Sequence, residues 1–238
     1  MIEQRKLKSV EQYGRQYVQE YLAKARETCD TITTDPLAAL AFMCGKFFAR
    51  GRRDSVSTVF RDKALELLDT YKSLENIDLG DLDVRLHERG VNNRYDRRMV
   101  VASIRFARTL QANDCNVFNW AAAAIREQRA AEAYSALDNI FAVGDKLATF
   151  YLRDVALLEG TEEAIESDDY RYFQPVDTWV ERVAESLGIV EKRDRHKRWT
   201  VKDKIIKACL AADVSPLFFN AGAWMVGANA YRLLVEKL

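Results

Sequence analysis

The chain contains few of the residues that interrupt helices and lacks the pattern that is typical of β-hairpins. Its 238 residues include only 3 Pro and 10 Gly, well below the average usage of about 5% and about 7%. No run of alternating Val, Ile or Thr is bounded by Asn-Gly or Asp-Gly, as a β-hairpin would require. Long stretches rich in Ala, Leu, Glu, Arg and Lys therefore predict an all-α fold.

Cysteine and histidine are also scarce, which argues against a metal or redox site. Cys29, Cys44, Cys115 and Cys209 form no Cys-x-x-Cys pair and no compact four-cysteine tail, so neither an iron–sulfur cluster nor a zinc site is expected. Cys44 and Cys209 lie in apolar helical patterns and are predicted to be buried. With only 2 His, neither a His-based metal site nor a Ser/His/Asp triad is expected.

The sequence has neither a long apolar run nor a net charge. No apolar stretch approaches the roughly 18 residues of a membrane span, and the first residues lack an apolar signal region, so we expect a cytoplasmic protein that binds no membrane. The net charge of +0 counts against a nucleic-acid partner, but a local patch matters more than the total. Basic residues form three local runs: Arg50, Arg52, Arg53; Arg94, Arg97, Arg98; and Lys192, Arg193, Arg195, Lys197, Arg198.

Capping residues mark the helix boundaries. Asp35-Pro36, Asp96, Asn116 and Ser215-Pro216 each begin a helical pattern, and Thr178 begins a capping box. About ten helices follow from these signals, with residues 76–93 the least regular and 160–174 an acidic connection. We predict a single unit of two helical lobes. The central lobe covers about 95–190 with a helical hairpin at 130–158, and 1–94 plus 191–238 form a packing lobe.

The predicted hairpin places a lysine at a helix start. Residues 140–146 read Ile-Phe-Ala-Val-Gly-Asp-Lys, and the turn containing Gly144 would present backbone N–H groups that suit a phosphate. Lys146 follows in the first turn of the second helix. A lysine amine attacks only when it is neutral, and desolvation together with the positive end of a helix lowers its pKa from the ordinary value of about 10.4.

The stretch from Ile140 to Gly188 resembles the helix-hairpin-helix superfamily of DNA glycosylases. Besides the hairpin, the resemblance includes Asp177 in a Pro-Val-Asp-Thr context and the Arg-Val-x-x-x-Leu-Gly pattern that ends at Gly188. It covers this stretch closely and the rest of the chain in outline. The resemblance implies that Lys146 attacks the sugar, expels the base and cuts the strand through a Schiff base, while Asp177 stabilises the cationic sugar.

The resemblance also implies how the hairpin turn contacts DNA. The turn of the family usually reads Leu-Pro-Gly-Val-Gly, and here Phe141-Ala142 replaces Pro-Gly. Ala142, Val143 and Gly144 are the implied phosphate contacts. A structural monovalent cation often lies at this turn in the family, and no other cofactor or metal is expected.

Two further features resemble archaeal 8-oxoguanine glycosylases and indicate the substrate. Phe150 lies one turn after Lys146, and Ser215–Gly227 resembles the C-terminal helix of those enzymes. Phe150, Asn220 and Trp224 are the implied base pocket, with Asn220 standing where that subfamily tends to have Asp. The expected protein is a monomeric 8-oxoguanine DNA glycosylase and AP lyase. It would act on double-stranded DNA in the cytoplasm, associated with the nucleoid.

Several other interpretations stay open on the sequence alone. The chain could be a non-catalytic helix-hairpin-helix nucleic-acid-binding protein, a glycosylase for oxidised pyrimidines, or a helical interaction protein. Lys146 could be a solvent-facing lysine and Asp177 a plain N-cap. Phe150 and Trp224 could pack in the core.

Overall fold

A computed structural model of the chain describes residues 4–50 and 54–235, with side chains for all of these except 54 and 230–235. Within these ranges the regular structure consists of thirteen α-helices and three short 3₁₀ helices, without a strand. The all-α prediction is therefore confirmed. Arg52 and Arg53, from the first basic run, lie outside the described residues.

The helices form two compact units. The terminal unit comprises Met1–Lys24 with Ile165–Leu238, and the hairpin unit is the continuous segment Ala25–Ala164. These bounds differ from the predicted lobes. Residues 25–94 belong with the hairpin rather than with a packing lobe, and 165–190 belong with the N-terminal helix. The chain passes from one unit to the other within α2 (Ala23–Glu27).

The hairpin unit is built around one apolar helix, α4, which packs against α3, α5, α7, α8 and α10. Asp35 caps α4 by accepting the Leu37 N–H at 2.8 Å, with Pro36 in the first turn, as predicted. The helices of this unit are α3 (Cys29–Thr34), α4 (Pro36–Phe47), α5 (Asp54–Leu68), α6 (Leu79–Glu88), α7 (Arg94–Gln111), α8 (Val117–Arg126), α9 (Ala130–Asp138) and α10 (Asp145–Glu159).

Two local predictions in this unit are wrong. The segment expected to be irregular contains α6, because the Asp78 carboxylate caps it by accepting the N–H groups of Gly80 and Asp81. Asp96 does not begin α7, because Asn93 accepts the N–H groups of Tyr95 and Asp96 and starts the helix earlier.

The buried cysteines were predicted correctly. Cys44 and Cys209 are both 0% exposed. Burial raises the pKa of the Cys44 thiol to about 12, outweighing the opposite effect of a hydrogen bond with Ser103. Cys44 is therefore a neutral packing residue at ordinary pH.

The terminal unit consists of α1 packed along α13, with α11 and α12 also against α13. Its core includes Leu7, Val180, Ile205 and Phe219. The last helix begins at Pro216, as predicted. The α-helices of the unit are α1 (Gln4–Glu20), α11 (Thr178–Ser186), α12 (Arg198–Ala211) and α13 (Pro216–Val235).

Helices α1 and α13 approach so closely that only glycine fits at their crossing. A methyl group on Gly14 would overlap the carbonyl oxygen of Phe218, and one on Gly222 would overlap the carbonyl oxygen of Val10. Because both obstacles are backbone atoms, no side-chain rotation could relieve the overlap. The two glycines therefore set the distance between the helices.

In the part of the chain that the structure covers, no single helix is both long and apolar enough to cross a bilayer. Two consecutive segments reach that length and hydropathy only when they are counted together, and they are bent by 115° at a short break: Arg198–Ala211 and Pro216–Asn229.

We expect Gly222→Ala to destabilise the protein by about 3 kcal/mol or more, because the added methyl forces the α1 and α13 backbones apart. Gly45→Ala is the matched control. It also lies inside a helix, but its methyl would meet only Leu65 Cδ1 at 3.9 Å, so a gain of roughly 0.5–1 kcal/mol in stability is expected. Urea unfolding followed by circular dichroism measures both, and equal stability of Gly222→Ala and the unsubstituted protein would contradict the close approach.

Candidate active site

The predicted helical hairpin is present in the hairpin unit. Helix α9 ends at Asp138, a six-residue turn follows, and α10 begins at Asp145, one residue before the predicted start. Tyr134 of α9 donates its hydroxyl to Asp145 Oδ1 at 3.1 Å, which joins the two helices beside the turn. At its other end α10 stops at Gly160, whose φ of 64° is left-handed.

The left-handed residue of the turn is Ala142, not Gly144. Ala142 has a φ of 62°, in the left-handed region that favours glycine, whereas Gly144 is extended with φ −128° and ψ 179°. Ala142 is the position where the resembling family has its first glycine. The chain therefore keeps a left-handed turn there without the glycine.

The start of α10 is accessible and lacks a side-chain cap. Gly144 is the N-cap residue and provides no side-chain hydrogen bond. It is exposed, and a methyl group built on it would meet no atom within 4 Å. The positive end of the helix dipole thus lies beside an exposed N-cap residue, an arrangement that suits an anion.

Aromatic and basic residues of α7 hold the turn. The Phe141 ring stacks on Tyr95, with centroids 6.0 Å apart and planes 3° apart, and Arg98 places its guanidinium carbon 4.1 Å from the Phe141 centroid. Tyr95 is 63% exposed, and Arg94 and Arg98 are exposed as well. The second basic run therefore lies next to the turn.

Arg50 links the turn to the interior of the hairpin unit. Its Nη2 donates to the carbonyl oxygen of Ala142 at 2.8 Å, and its Nε lies 3.0 Å from Asp96 Oδ1. Asp96 is 0% exposed. This buried ion pair explains why Asp96 does not act as a helix cap. No local pattern predicts this pair, because Arg50 and Asp96 are far apart in the chain.

Lys146 is the second residue of α10 and is half-buried. Its Nζ donates to the carbonyl oxygen of Ala49 at 2.8 Å, just beyond the C-terminal end of α4. The amine is thus held against the body of the hairpin unit and is not a fully solvated surface lysine. This geometry orients the amine without by itself defining a reaction.

Phe150, one turn along α10, borders a buried charge cluster. Lys46 Nζ lies 5.3 Å from the Phe150 centroid and the Arg153 guanidinium carbon 4.8 Å from it. Asp154, 0% exposed, accepts from Lys46 at 2.6 Å and from Arg153 at 2.8 Å. Burial alone raises the pKa of the Asp154 carboxyl, but the charges of Lys46 and Arg153 outweigh it and hold the pKa below its ordinary value.

The sequence analysis missed this cluster, although a signal was available. Arg153-Asp154 stands in the middle of the apolar pattern of α10, and charged residues are almost never fully buried unless they are paired. A charged pair at such a position predicts a buried partner, which here is Lys46.

Asp177 caps α11 in the terminal unit. Its Oδ1 accepts the N–H groups of Trp179 at 3.0 Å and Val180 at 3.1 Å. The predicted capping box at Thr178 is wrong, because Thr178 is the first helical residue and the preceding aspartate takes the cap position. Asp177 is half-buried, and its carboxylate is fixed at the positive end of a helix.

The segment before Asp177 is hydrogen-bonded to α13. Gln174 donates its Nε2 to the carbonyl oxygen of Pro216 at 3.1 Å, and Asn220 donates its Nδ2 to that of Pro175 at 3.3 Å. Gln174 and Asn220 are both 0% exposed. Asn220, predicted in the base pocket, thus holds the backbone that leads to Asp177.

Trp224 lies beside two tyrosines at the C-terminal end of α1, one in the helix and one just after it. Its ring is 5.9 Å from Tyr17 and 5.2 Å from Tyr21, with interplanar angles of 81° and 89°, which is edge-to-face packing. Trp224 is half-buried.

The predicted site residues are divided between the two units. The hairpin unit contains Ala142, Val143, Gly144, Lys146 and Phe150, and the terminal unit contains Asp177, Asn220 and Trp224. Among the described side chains, no group of three or more His, Cys, Asp or Glu could hold a metal ion. Comparisons of the chain with protein-family models, curated proteins and solved structures find no match.

We expect Asp154→Asn to reduce stability by about 3–5 kcal/mol at pH 7, because it leaves two buried cations without their anion. The pKa of the folded carboxyl is lowered, so its stabilisation is present above about pH 4 and disappears as the pH falls through the lower folded value. Urea unfolding between pH 7 and pH 3 should therefore show the gap between the two proteins closing in acid.

Asp62→Asn is the control for this measurement. Asp62 pairs with Arg61 at 2.8 Å, but the two side chains are 51% and 40% exposed, so the loss should be much smaller. A gap for Asp154→Asn that stayed constant down to pH 3 would show that the charge of the carboxylate does not stabilise the fold.

Proposed function

We propose that this protein is a DNA glycosylase with AP-lyase activity, of the helix-hairpin-helix type, that removes an oxidised purine from duplex DNA. The observation that carries the proposal is the hairpin of α9 and α10. Its turn ends at an exposed glycine before a helix start without a side-chain cap, and the first turn of α10 contains Lys146, which is half-buried and hydrogen-bonded. The motif resemblance from Ile140 to Gly188 supplies the chemistry.

In this proposal the hairpin turn binds a backbone phosphate. The N–H groups at the start of α10 donate to its oxygens, as helix N-termini commonly do. Arg94 and Arg98 provide the nearby positive charge, and both are exposed. The Asp145 carboxylate, which would repel a phosphate, accepts a hydrogen bond from Tyr134 of the preceding helix.

Lys146 is the proposed nucleophile. A neutral amine has two N–H donors and one lone pair, so Ala49 can accept one N–H while the lone pair attacks C1′ of the deoxyribose. The C1′–N bond breaks, and the base leaves with a proton. Opening of the sugar ring gives an imine between Nζ and C1′, and loss of a C2′ proton expels the 3′ phosphate by β-elimination.

Asp177 is the proposed electrostatic partner of the reaction. Two backbone N–H groups hold its carboxylate in one orientation, and a fixed negative charge stabilises the positive sugar that develops as the base departs. The cap and the catalytic role use different properties of one side chain. The cap needs an oxygen acceptor, whereas the reaction needs the charge.

The assignment of an oxidised purine rests on the resemblance of Ser215–Gly227 to archaeal 8-oxoguanine glycosylases. A base that has left the helical stack needs aromatic faces and hydrogen-bonding groups. Phe150 and Trp224 are the proposed aromatic contributors, whereas Asn220 is 0% exposed and supports the backbone before Asp177. An oxidised pyrimidine is the alternative substrate for the same chemistry.

We expect the protein to form a covalent adduct with 8-oxoguanine duplex in the presence of borohydride, which reduces the imine to a stable amine. Lys146→Gln should form none, because glutamine keeps a donor for Ala49 but lacks a nucleophilic amine. Lys207→Gln is the control, since Lys207 is an exposed lysine of α12, and it should form the adduct normally. The adduct is read on a denaturing gel.

Thymine-glycol and abasic duplexes in the same assay separate the substrate classes. An adduct with thymine glycol alone would change the substrate to an oxidised pyrimidine. Salt-dependent DNA binding without an adduct on any of the three would contradict the enzyme and favour a non-catalytic nucleic-acid-binding protein.

We expect Asp177→Asn to keep the thermal stability of the protein and to slow adduct formation by about 10²-fold or more. Asparagine caps a helix about as well as aspartate but carries no charge. Asp177→Ala should lose the rate and also roughly 1 kcal/mol of stability. An Asp177→Asn protein that reacts at the full rate would show that this residue is a cap only.

A further inference from the structure

A second basic surface lies in the terminal unit, at Lys192–Trp199. All residues of this segment are exposed except Asp194, and five of them are lysine or arginine. The segment contains the third basic run of the sequence, which the proposed function does not use. Its charge contrasts with the net charge of +0 of the whole chain.

The segment has a fixed backbone. Asp194, 5% exposed, accepts the Glu191 N–H at 2.9 Å and the Lys204 ammonium at 2.6 Å through its Oδ2. Together with the side chain of Glu191 it forms a capping box around the 3₁₀ helix Lys192–Asp194. The basic side chains thus project from an ordered turn anchored to α12.

Only part of the basic charge is neutralised by neighbouring acids. Arg193 pairs with Glu191 at 2.9 Å, and Arg195 pairs with Glu185 at 2.5 Å. In the described part of the chain, no acidic group lies within ion-pair distance of the three remaining cations, which are Lys192, Lys197 and Arg198. These three charges face solvent.

An aromatic ring stands beside these cations. Trp199 is 42% exposed. Three neighbours contact the ring, since Lys202 Nζ lies 4.4 Å and the Arg171 guanidinium carbon 6.0 Å from its centroid, and Tyr172 meets it edge-on at 6.3 Å. Lys202 is 0% exposed. The indole is therefore supported from inside and offers part of its surface to a ligand.

We propose that Lys192–Trp199 is a nucleic-acid-binding surface that takes a strand with an unpaired base. Lys192, Lys197 and Arg198 contact successive phosphates, and the base stacks on Trp199. Single-stranded nucleic acids are bound by this combination of a basic track and an aromatic platform. The inference concerns binding alone and stands whether or not Lys146 is a nucleophile.

The composition of the surface favours a nucleic acid over an anionic membrane. A helix that lies on a bilayer needs a broad apolar face beside its basic residues. Between residues 191 and 200, Trp199 is the only large apolar side chain that is exposed. One ring suits one base, whereas it provides little apolar area for a lipid interface.

Fluorescence anisotropy of an undamaged, fluorescein-labelled single strand of about 20 nucleotides tests the proposal on the full chain. The triple variant Lys192→Ala, Lys197→Ala, Arg198→Ala should weaken binding and lower the slope of log K against log salt by about 2, because three phosphate contacts are lost. Trp199→Ala should weaken binding by about 5-fold to 150-fold, and Trp199→Phe by much less.

A triple variant with equal charge loss elsewhere is the control. Arg5, Lys8 and Lys207 are exposed, and replacing all three with alanine should leave the affinity nearly unchanged. Unchanged binding by the first triple variant and by Trp199→Ala would overturn the proposal. Binding to phosphatidylglycerol vesicles that these same variants abolish, without binding to the oligonucleotide, would also overturn it.

This experiment separates the surface from the proposed enzyme. If the variants lose oligonucleotide binding and no lesion gives a borohydride adduct, the binding surface is supported and the glycosylase proposal is contradicted. If an adduct depends on Lys146 but Trp199→Ala leaves oligonucleotide binding unchanged, the glycosylase proposal is supported and the binding surface is contradicted.

Discussion

The hairpin unit depends on cations that cross between the end of α4 and the start of α10. Arg50 holds the carbonyl of the left-handed Ala142, and Lys146 donates to Ala49. Farther along the same two helices, Lys46 donates to the buried Asp154. These contacts run antiparallel along the two helices, so each fixes the register of the next. The position of the hairpin turn, and of the amine beside it, follows from this row of charges.

The packing of the terminal unit depends instead on two glycines, which have no side chain. Gly14 and Gly222 let α1 and α13 touch through their backbones, and α13 in turn holds the segment that leads to Asp177 through Gln174 and Asn220. A residue predicted to recognise a base is thereby part of the support of the cap. This structural role agrees with its burial, because a buried amide must satisfy its hydrogen bonds.

Features that depend on a few neighbouring residues could be predicted from the sequence. The all-α class, the hairpin, and the caps at Asp35 and Asn116 each follow from a few adjacent residues. Features set by distant partners could not be predicted. Asp96 satisfies the rule for a helix cap, but a pairing with Arg50 decides its place. The predicted unit boundaries differ from the observed ones for the same reason, because the apolar face of α1 shows that the helix packs against something but not that its partner is α13. The roles of the candidate site residues were read from a motif, and geometry alone does not assign them.

The division of the chain has a consequence for how the protein is made. The hairpin unit is one uninterrupted segment, Ala25–Ala164. It can therefore fold as a unit during translation, before the rest of the chain has been synthesised. The terminal unit cannot follow that order, since α1 emerges first but finds its partner only when Gly222 has been synthesised. In the interval α1 exposes an apolar stripe that includes Leu7 and Tyr17.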